Sequence, residues 1–269
     1  MDLKLDVFSE NQKIYDQVSK AILIKGDSLK VLKNIKSDSV DMIFADPPYF
    51  LSGDGITVQS GKMVSVKKGE WDKKRPIQEI HQFNLKWIKE TQRILKNHGS
   101  IWISGSMHNI FSVGMALLES DFKIINNITW QKTNPPPNIS RRAFTHSTEN
   151  IIWAKKADKS SKHIFNYELM RQLNNNKQMK DVWTTNTVGK SQKVFGNHPT
   201  QKPIEILERI VLASTNEDAI VLDPFNGSGT TGVACMNHNR YYIGIEIEEQ
   251  YLQLSKKRFQ AIDKNLRLF

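Results

Sequence analysis

The chain has 269 residues, enough for one large α/β domain or two smaller ones with a sizeable core. Lysine and arginine number 38 against 28 acidic residues, a net charge of +10, which points to a polyanionic partner such as nucleic acid or, more blandly, to a generally basic proteome. Cys235 is the single cysteine, no apolar run reaches membrane-spanning length, and residues 1–6 lack the basic and apolar regions of an export signal, so internal disulfides, membrane spans and export are not expected and a reducing cytoplasm is.

Residues 21–25 predict a short strand ended by Gly26-Asp27, with Ser28 as N-cap of a helix that carries Leu29, Leu32 and Ile35 on one face. Residues 40–45 predict a buried strand with Asp46-Pro47-Pro48-Tyr49 at its C-terminal edge, where open parallel sheets place their chemistry. There Asp46 and the Pro47 carbonyl are candidate acceptors for the hydrogens of an exocyclic amine, and Tyr49 offers a face for a base to stack on. An equally good reading of these residues alone is a strand ending in a stiff Asp-Pro-Pro turn, because proline fixes φ and biases the residue before it.

Residues 50–75 lose the pattern: four glycines and six basic residues predict a long, mobile loop beside the site, with Trp71-Asp72 arguing for some order. A helix through Ile80, Trp87, Ile88 and Leu95 follows, stopped by Asn97-His98-Gly99. Further strands are expected at 100–104, 124–130 and 150–154, with a helix over 108–118 and a loop at Asn134-Pro135-Pro136-Pro137-Asn138. Residues 155–197 are basic, interleaved with Phe165, Tyr167, Trp183 and Phe195, and read as an insertion outside the core. That mixture fits an element facing nucleic acid, or else a solvated excursion with a small satellite core.

Pro203 is placed to open a helix through Leu207, Ile210 and Val211, and residues 219–222 form the next strand. It feeds Gly227-x-Gly229-x-x-Gly232, a helix begins near Thr230, a strand over 241–245 ends at Glu246, and an amphipathic helix spans about 249–263. Seven strands with helices between them predict one α/β domain over 1–269, a mostly parallel sheet with inserted loops. The glycines let the backbone approach a nucleotide and Glu246 can grip ribose hydroxyls, an arrangement that equally suits NAD or FAD. It does not suit a phosphate-binding P-loop, because no lysine follows the last glycine.

Asp46-Pro47-Pro48-Tyr49 together with Asp223-Pro224-Phe225-x-Gly227-Ser228-Gly229-Thr230-Thr231 resembles the S-adenosylmethionine-dependent DNA amino-methyltransferases, in the motif order of the group called beta. The resemblance runs from about Ile22 to the C-terminus. The stretches 46–52, 127–135 and 146–153 look closest to the second, adenine-directed methylases of GATC restriction–modification systems. It implies a class I, Rossmann-like methyltransferase fold. Asp46, Pro47, Pro48 and Tyr49 would be catalytic, with Asp46 also at the cofactor. Asp223, Phe225, Gly227, Gly229, Thr230 and Thr231 would line S-adenosylmethionine, Glu246 would hold its ribose, Asp27 would meet its adenine amine, and Thr200 and Lys202 its methionine end. Residues 155–197 would be the target-recognition region. Asn226 departs from an expected apolar residue, and Glu246 replaces the aspartate often found there.

The chemistry expected is transfer to adenine N6. Asp46 and the Pro47 carbonyl would take the two amine hydrogens and localise the nitrogen lone pair for direct displacement from the sulfonium, with no metal required. The base must leave the stack to reach the pocket. Methylation at cytosine C5 would need a thiolate, and Cys235 sits where a core role is expected. The alternatives are cytosine-N4 methylation, a dinucleotide-dependent oxidoreductase, and a DNA-binding relic of a methylase. DNA is the expected partner, a restriction endonuclease and a second methylase the expected functional companions, and a homodimer stays open.

Overall fold

The computed structural model of the protein describes residues 7–50, 56–59, 62–65, 72–158 and 162–266. Among them the strands are β1 (Asp16–Val18), β2 (Ala21–Lys25), β3 (Val40–Ala45), β4 (Ile56–Gln59), β5 (Lys62–Ser65), β6 (Leu95–Gly105), β7 (Phe122–Lys132), β8 (Thr148–Lys156), β9 (Val182–Thr185), β10 (Ile220–Asp223) and β11 (Tyr241–Glu246). The helices are α1 (Ser28–Val31), α2 (Ile77–Ile94), α3 (Ile110–Glu119), α4 (Tyr167–Leu173), α5 (Ile204–Ser214), α6 (Thr230–Asn237) and α7 (Glu249–Leu266). Nine strands make one sheet in the order β1-β2-β11-β10-β3-β6-β8-β7-β9, and β4 and β5 form a separate antiparallel pair. From β2 across to β6 neighbours run parallel, while β1 and β8 run against the strands beside them and β9 runs with β7.

Strand alternation divides the core. Ile22, Ile24, Ile43, Ala45, Ile101 and Ile103 point to one face, under α1, α2 and α3, where Trp87, Ile88, Val113 and Leu117 meet them. Ala21, Leu23, Met42, Phe44 and Trp102 point to the other, under Leu207 and Ile210 of α5, Cys235 of α6 and Phe259 of α7. Successive side chains of a strand face opposite ways, so a run apolar at every position reads as a strand covered on both sides. Each fully buried side chain of this kind contributes roughly 1.5–3 kcal/mol.

The site follows from one neighbour relation. β3 and β10 pair in parallel, Val221 with Met42 and Leu222 with Ile43. From β10 the chain crosses through α6 to β11 on one side, and from β3 through α2 to β6 on the other. The two loops therefore leave the same edge side by side and diverge, opening a crevice at the carboxyl ends of the strands.

Three local expectations are corrected. The sheet has nine strands, not seven, because β1 pairs antiparallel with β2 at one edge and β9, from within 155–197, adds to β7 at the other. Trp183 of β9 is buried against Trp102, so that segment is built onto the sheet and shares its core. The helix over residues 77–94 ends before Asn97: Leu95 is already extended, and Lys96 and His98 both reach the Asp41 carboxylate of β3, at 2.9 and 3.0 Å. Those contacts zip the start of β6 onto β3 where sequence spacing predicted a helix terminus. The α1 cap is Asp27, whose side chain accepts the Leu29 N–H at 2.9 Å, while Ser28 is the first helical residue and donates its hydroxyl to the Pro224 carbonyl. Of the mobile loop expected over residues 50–75, half lies outside the described residues, Trp71 included, and the described part holds the β4–β5 pair.

Candidate active site

A cavity of about 400 Å³ opens at this crevice, and the two diverging loops form its walls. Asp27, Asp46, Pro47, Pro48, Tyr49, Thr200, Lys202, Asp223, Phe225, Gly227, Thr230, Thr231 and Glu246 all line it, which brings together every residue assigned from the sequence except Gly229. Gly227 and Gly229 have φ of +51° and +71°, the left-handed region that favours glycine. Gly229 packs behind the loop: a Cβ there would lie 2.6 Å from Ser255 Oγ of α7. Its part is to let the loop close onto that helix.

The loop is held by carboxylates and amides. Asp223, buried at the end of β10, accepts the Phe225 N–H at 3.0 Å and the Thr231 hydroxyl at 2.6 Å. Burial pushes its pKa up to about 7, against these two hydrogen bonds, with Asp46 and Glu246 nearby adding to the rise. Glu246 takes N–H groups from Gly227, Ile247 and Glu248 at 2.8–2.9 Å, and burial lifts it to about 7 as well. Asn226, the apparent departure, is a buried connector. Its side chain donates to the Gly227 carbonyl and to Ser255 Oγ and accepts the Tyr242 hydroxyl, each at 2.9 Å. Arg258 of α7, also buried, donates to the Ser228 carbonyl at 2.6 Å and to Thr230 Oγ1 at 3.0 Å. Phe225 packs edge-on against Trp87 of α2 with ring centres 5.4 Å apart.

The Asp46 carboxylate stands where the two loops meet. Tyr49 donates its hydroxyl to Oδ1 at 2.8 Å, and Lys202, brought in by the segment before α5, donates Nζ to Oδ2 at 2.6 Å. The Tyr49 N–H is itself anchored on the buried Asp72 at 3.1 Å. Lys202 Nζ lies 3.5 Å from Glu149 Oε2, and Lys132 donates to Glu149 Oε1 at 2.6 Å. Two carboxylates and two ammonium groups thus form one linked cluster, with side chains 7–16% exposed. Burial opposes charge on Glu149, but Lys202 and Lys132 outweigh it and hold its carboxyl below the usual range. Burial likewise opposes charge on Lys202, and Asp46 and Glu149 overcome it and raise its pKa. Burial pushes the Tyr49 phenol well up, with the neighbouring carboxylates of Asp46 and Glu149 adding to it, so this hydroxyl is a donor.

On the far side of Tyr49 and Lys202 lies a second cavity, about 600 Å³, between the β7–β8 hairpin and the residues after β9. Trp130, Lys132, His146, Glu149 and Thr187 line it, and Tyr49, Thr200, Gln201 and Lys202 are common to both cavities. The Lys202 ammonium stands 5.5 Å from the centre of the Tyr49 ring. Sequence reasoning missed Lys132 and Glu149. Both sit on the hairpin, and only its register, with Trp130 opposite Glu149, turns these charges toward Lys202. The strand expected at 150–154 starts earlier, at Thr148, and so carries Glu149.

Among the described residues no helix is long and apolar enough to cross a membrane. A family model described as DNA methylase matches residues 40–257. The type II methyltransferase M2.LlaDCHI of Lactococcus lactis subsp. cremoris is 58% identical over 246 residues, covering 91% of each chain. M2.DpnII of Streptococcus pneumoniae is 56% identical over 249 residues, 93% of each. Among solved structures, the M1.HpyAVI–SAM complex is 30% identical with a TM-score of 0.65 over 88% of this chain and 98% of that one. The PvuII cytosine-N4-specific DNA methyltransferase shares the fold, with a TM-score of 0.74 over 96% and 95% of the two chains at 18% identity. These matches leave no place for a dinucleotide-dependent oxidoreductase. The chain belongs to the DNA methylase family and is a DNA methyltransferase.

Proposed function

We propose that the protein transfers a methyl group from S-adenosylmethionine to the exocyclic N6 of adenine within the DNA site GATC, as a modification enzyme of a restriction–modification system. The observation that carries this reading is the Asp46 carboxylate on the wall of the cavity formed by the glycine loop, bonded to Tyr49 and Lys202, which also line the second cavity. The first cavity fits the cofactor in size and charge: pockets for molecules of this size run about 300–1,000 Å³. Asp27 and Asp46 together with Lys202 and Arg75 on its wall suit a ligand that carries charge of both signs. When bound, S-adenosylmethionine supplies an electrophilic methyl group on a sulfonium. Glu246 would accept ribose hydroxyls, Asp27 the adenine amine, Phe225 would pack on the ring system, and Lys202 with Thr200 would meet the methionine end.

The second cavity would receive the target base. Asp46 and the Pro47 carbonyl then accept the two amine hydrogens, draw the nitrogen toward tetrahedral geometry and leave its lone pair free to attack. Tyr49 keeps its proton, donates to Asp46 and so fixes the carboxylate for this task. Residues 155–197, through β9 and the chain after it, would carry target recognition. Pairing with an endonuclease and a second methylase, and cytoplasmic residence, complete the reading.

Asp46→Ala tests it. Tritium transfer to DNA should be lost while calorimetry shows S-adenosylmethionine still bound. Transfer by the variant at a comparable rate would refute the role of the carboxylate. Digestion of the product to nucleosides separates N6-methyladenine from N4-methylcytosine, and mapping modified bases checks the site: methyladenine outside GATC would sink the site assignment and leave the chemistry.

A further inference from the structure

The loop joining β7 to β8 has no part in the chemistry above, yet it is built to a definite shape. At its base Thr187 N–H donates to Asn134 Oδ1 at 2.9 Å and Thr133 N–H to the Thr185 carbonyl at 3.1 Å, which stitches it to the chain after β9. At its tip Asn138 closes a ring of hydrogen bonds. Its oxygen accepts Ser140 Oγ at 2.7 Å and the Arg141 N–H at 3.2 Å, and its amide donates to the Ala143 and Phe144 carbonyls at 3.1 and 3.4 Å. This turn leaves Phe144 95% exposed, the most exposed large apolar side chain among the described residues, with Arg141 and Arg142 exposed beside it. Two residues further on, His146 lines the second cavity, together with Lys132 at the other end of the loop.

A single exposed ring asks for no partner by itself, but Phe144 with exposed Arg141 and Arg142 next to it in sequence, on a chain of net charge +10, fits a polyanion with stacked apolar faces. Apolar wedges entering between base steps, with cations on the flanking phosphates, are a known way of opening a duplex. Resting on the reading of the second cavity as the base site, we propose that Phe144 is a duplex-opening wedge. It enters the stack where the target nucleotide leaves, with Arg141 and Arg142 on the adjacent phosphates. The cost of unpairing is then offset at the loop, whose two ends bring Lys132 and His146 to the wall of the second cavity.

The test compares Phe144→Ala with the wild type on two duplexes carrying the target site, one fully paired and one with an abasic site opposite the target adenine. The ring touches no core, so the variant should keep its melting temperature. On paired DNA kcat/KM should fall at least tenfold, and on the abasic duplex, where the base is already unpaired, it should return to within about threefold of wild type, as suits an unpairing cost of a few kcal/mol. With 2-aminopurine at the target position, the fluorescence rise on binding should shrink in parallel. Equal activity of both proteins on paired DNA would overturn the proposal, and so would an equal loss on both duplexes. Absence of methylation of either duplex by the wild type would instead remove the reading on which it rests.

Discussion

Glu149 offers the sharpest test of how the buried charges are arranged. Replacing it by glutamine keeps the shape and removes one negative charge from the set Asp46, Glu149, Lys202 and Lys132, leaving a surplus positive charge in a cluster whose members are 7–16% exposed. Breaking a buried pair costs about 3–5 kcal/mol, and the partial exposure here favours the lower end. At about 3 kcal/mol the melting temperature should drop by roughly 6–12 °C for a chain of this size. The second effect is on the reaction. Lys202 is shared between Asp46 at 2.6 Å and Glu149 at 3.5 Å, and a tighter hold of the ammonium on Asp46 weakens the carboxylate as an acceptor for an amine hydrogen. Opposite charges about 4 Å apart attract by about 4 kcal/mol at an effective dielectric of about 20, so losing Glu149 removes much of the alternative berth for Lys202. If about half of that reappears as barrier, kcat falls about thirtyfold, with S-adenosylmethionine affinity changed far less. Differential scanning calorimetry and single-turnover methylation measure the two effects separately. A lowered melting temperature with full kcat would mean that the cluster serves stability alone, and the reasoning about Lys202 would be refuted.

Stability against pH should follow Asp223 and Glu246. Both are held up to about 7 in the folded protein by burial, above their unfolded values near 4, so the fold binds extra protons between about pH 4 and 7. Their contribution is present below about pH 4 and lost as pH rises through about 7, with a slope of up to about 1.4 kcal/mol per pH unit for each proton. The melting temperature of the cofactor-free protein should therefore fall between about pH 5 and 7, and Asp223→Asn should flatten the profile; a rise over that range contradicts the assignment. Glu149 works the other way, its stabilisation present above its ordinary 4.5 and lost as pH falls below that value. Asn226→Leu, the residue type expected by resemblance, leaves the buried Tyr242 hydroxyl without its acceptor and should cost about 1–3 kcal/mol in urea denaturation. Unchanged stability would show that the connector is dispensable.

The sequence by itself determined the elements and the pair of loops. The runs at 42–45 and 242–245 hold no charged residue because both faces of those strands are covered, and the glycines at 227 and 229 announce backbone that other residues resist. The tertiary structure alone decided what crosses between distant segments. Lys132 and Glu149 became part of the site through hairpin register, Asn226 became a connector because Ser255 and Tyr242 arrive from α7 and β11, and β9 joined the sheet although its surroundings read as an insertion. Charges and hydrogen bonds of this sort depend on which strands lie side by side. That is set by packing over the whole core, while propensity and periodicity report only on neighbours within a few residues along the chain.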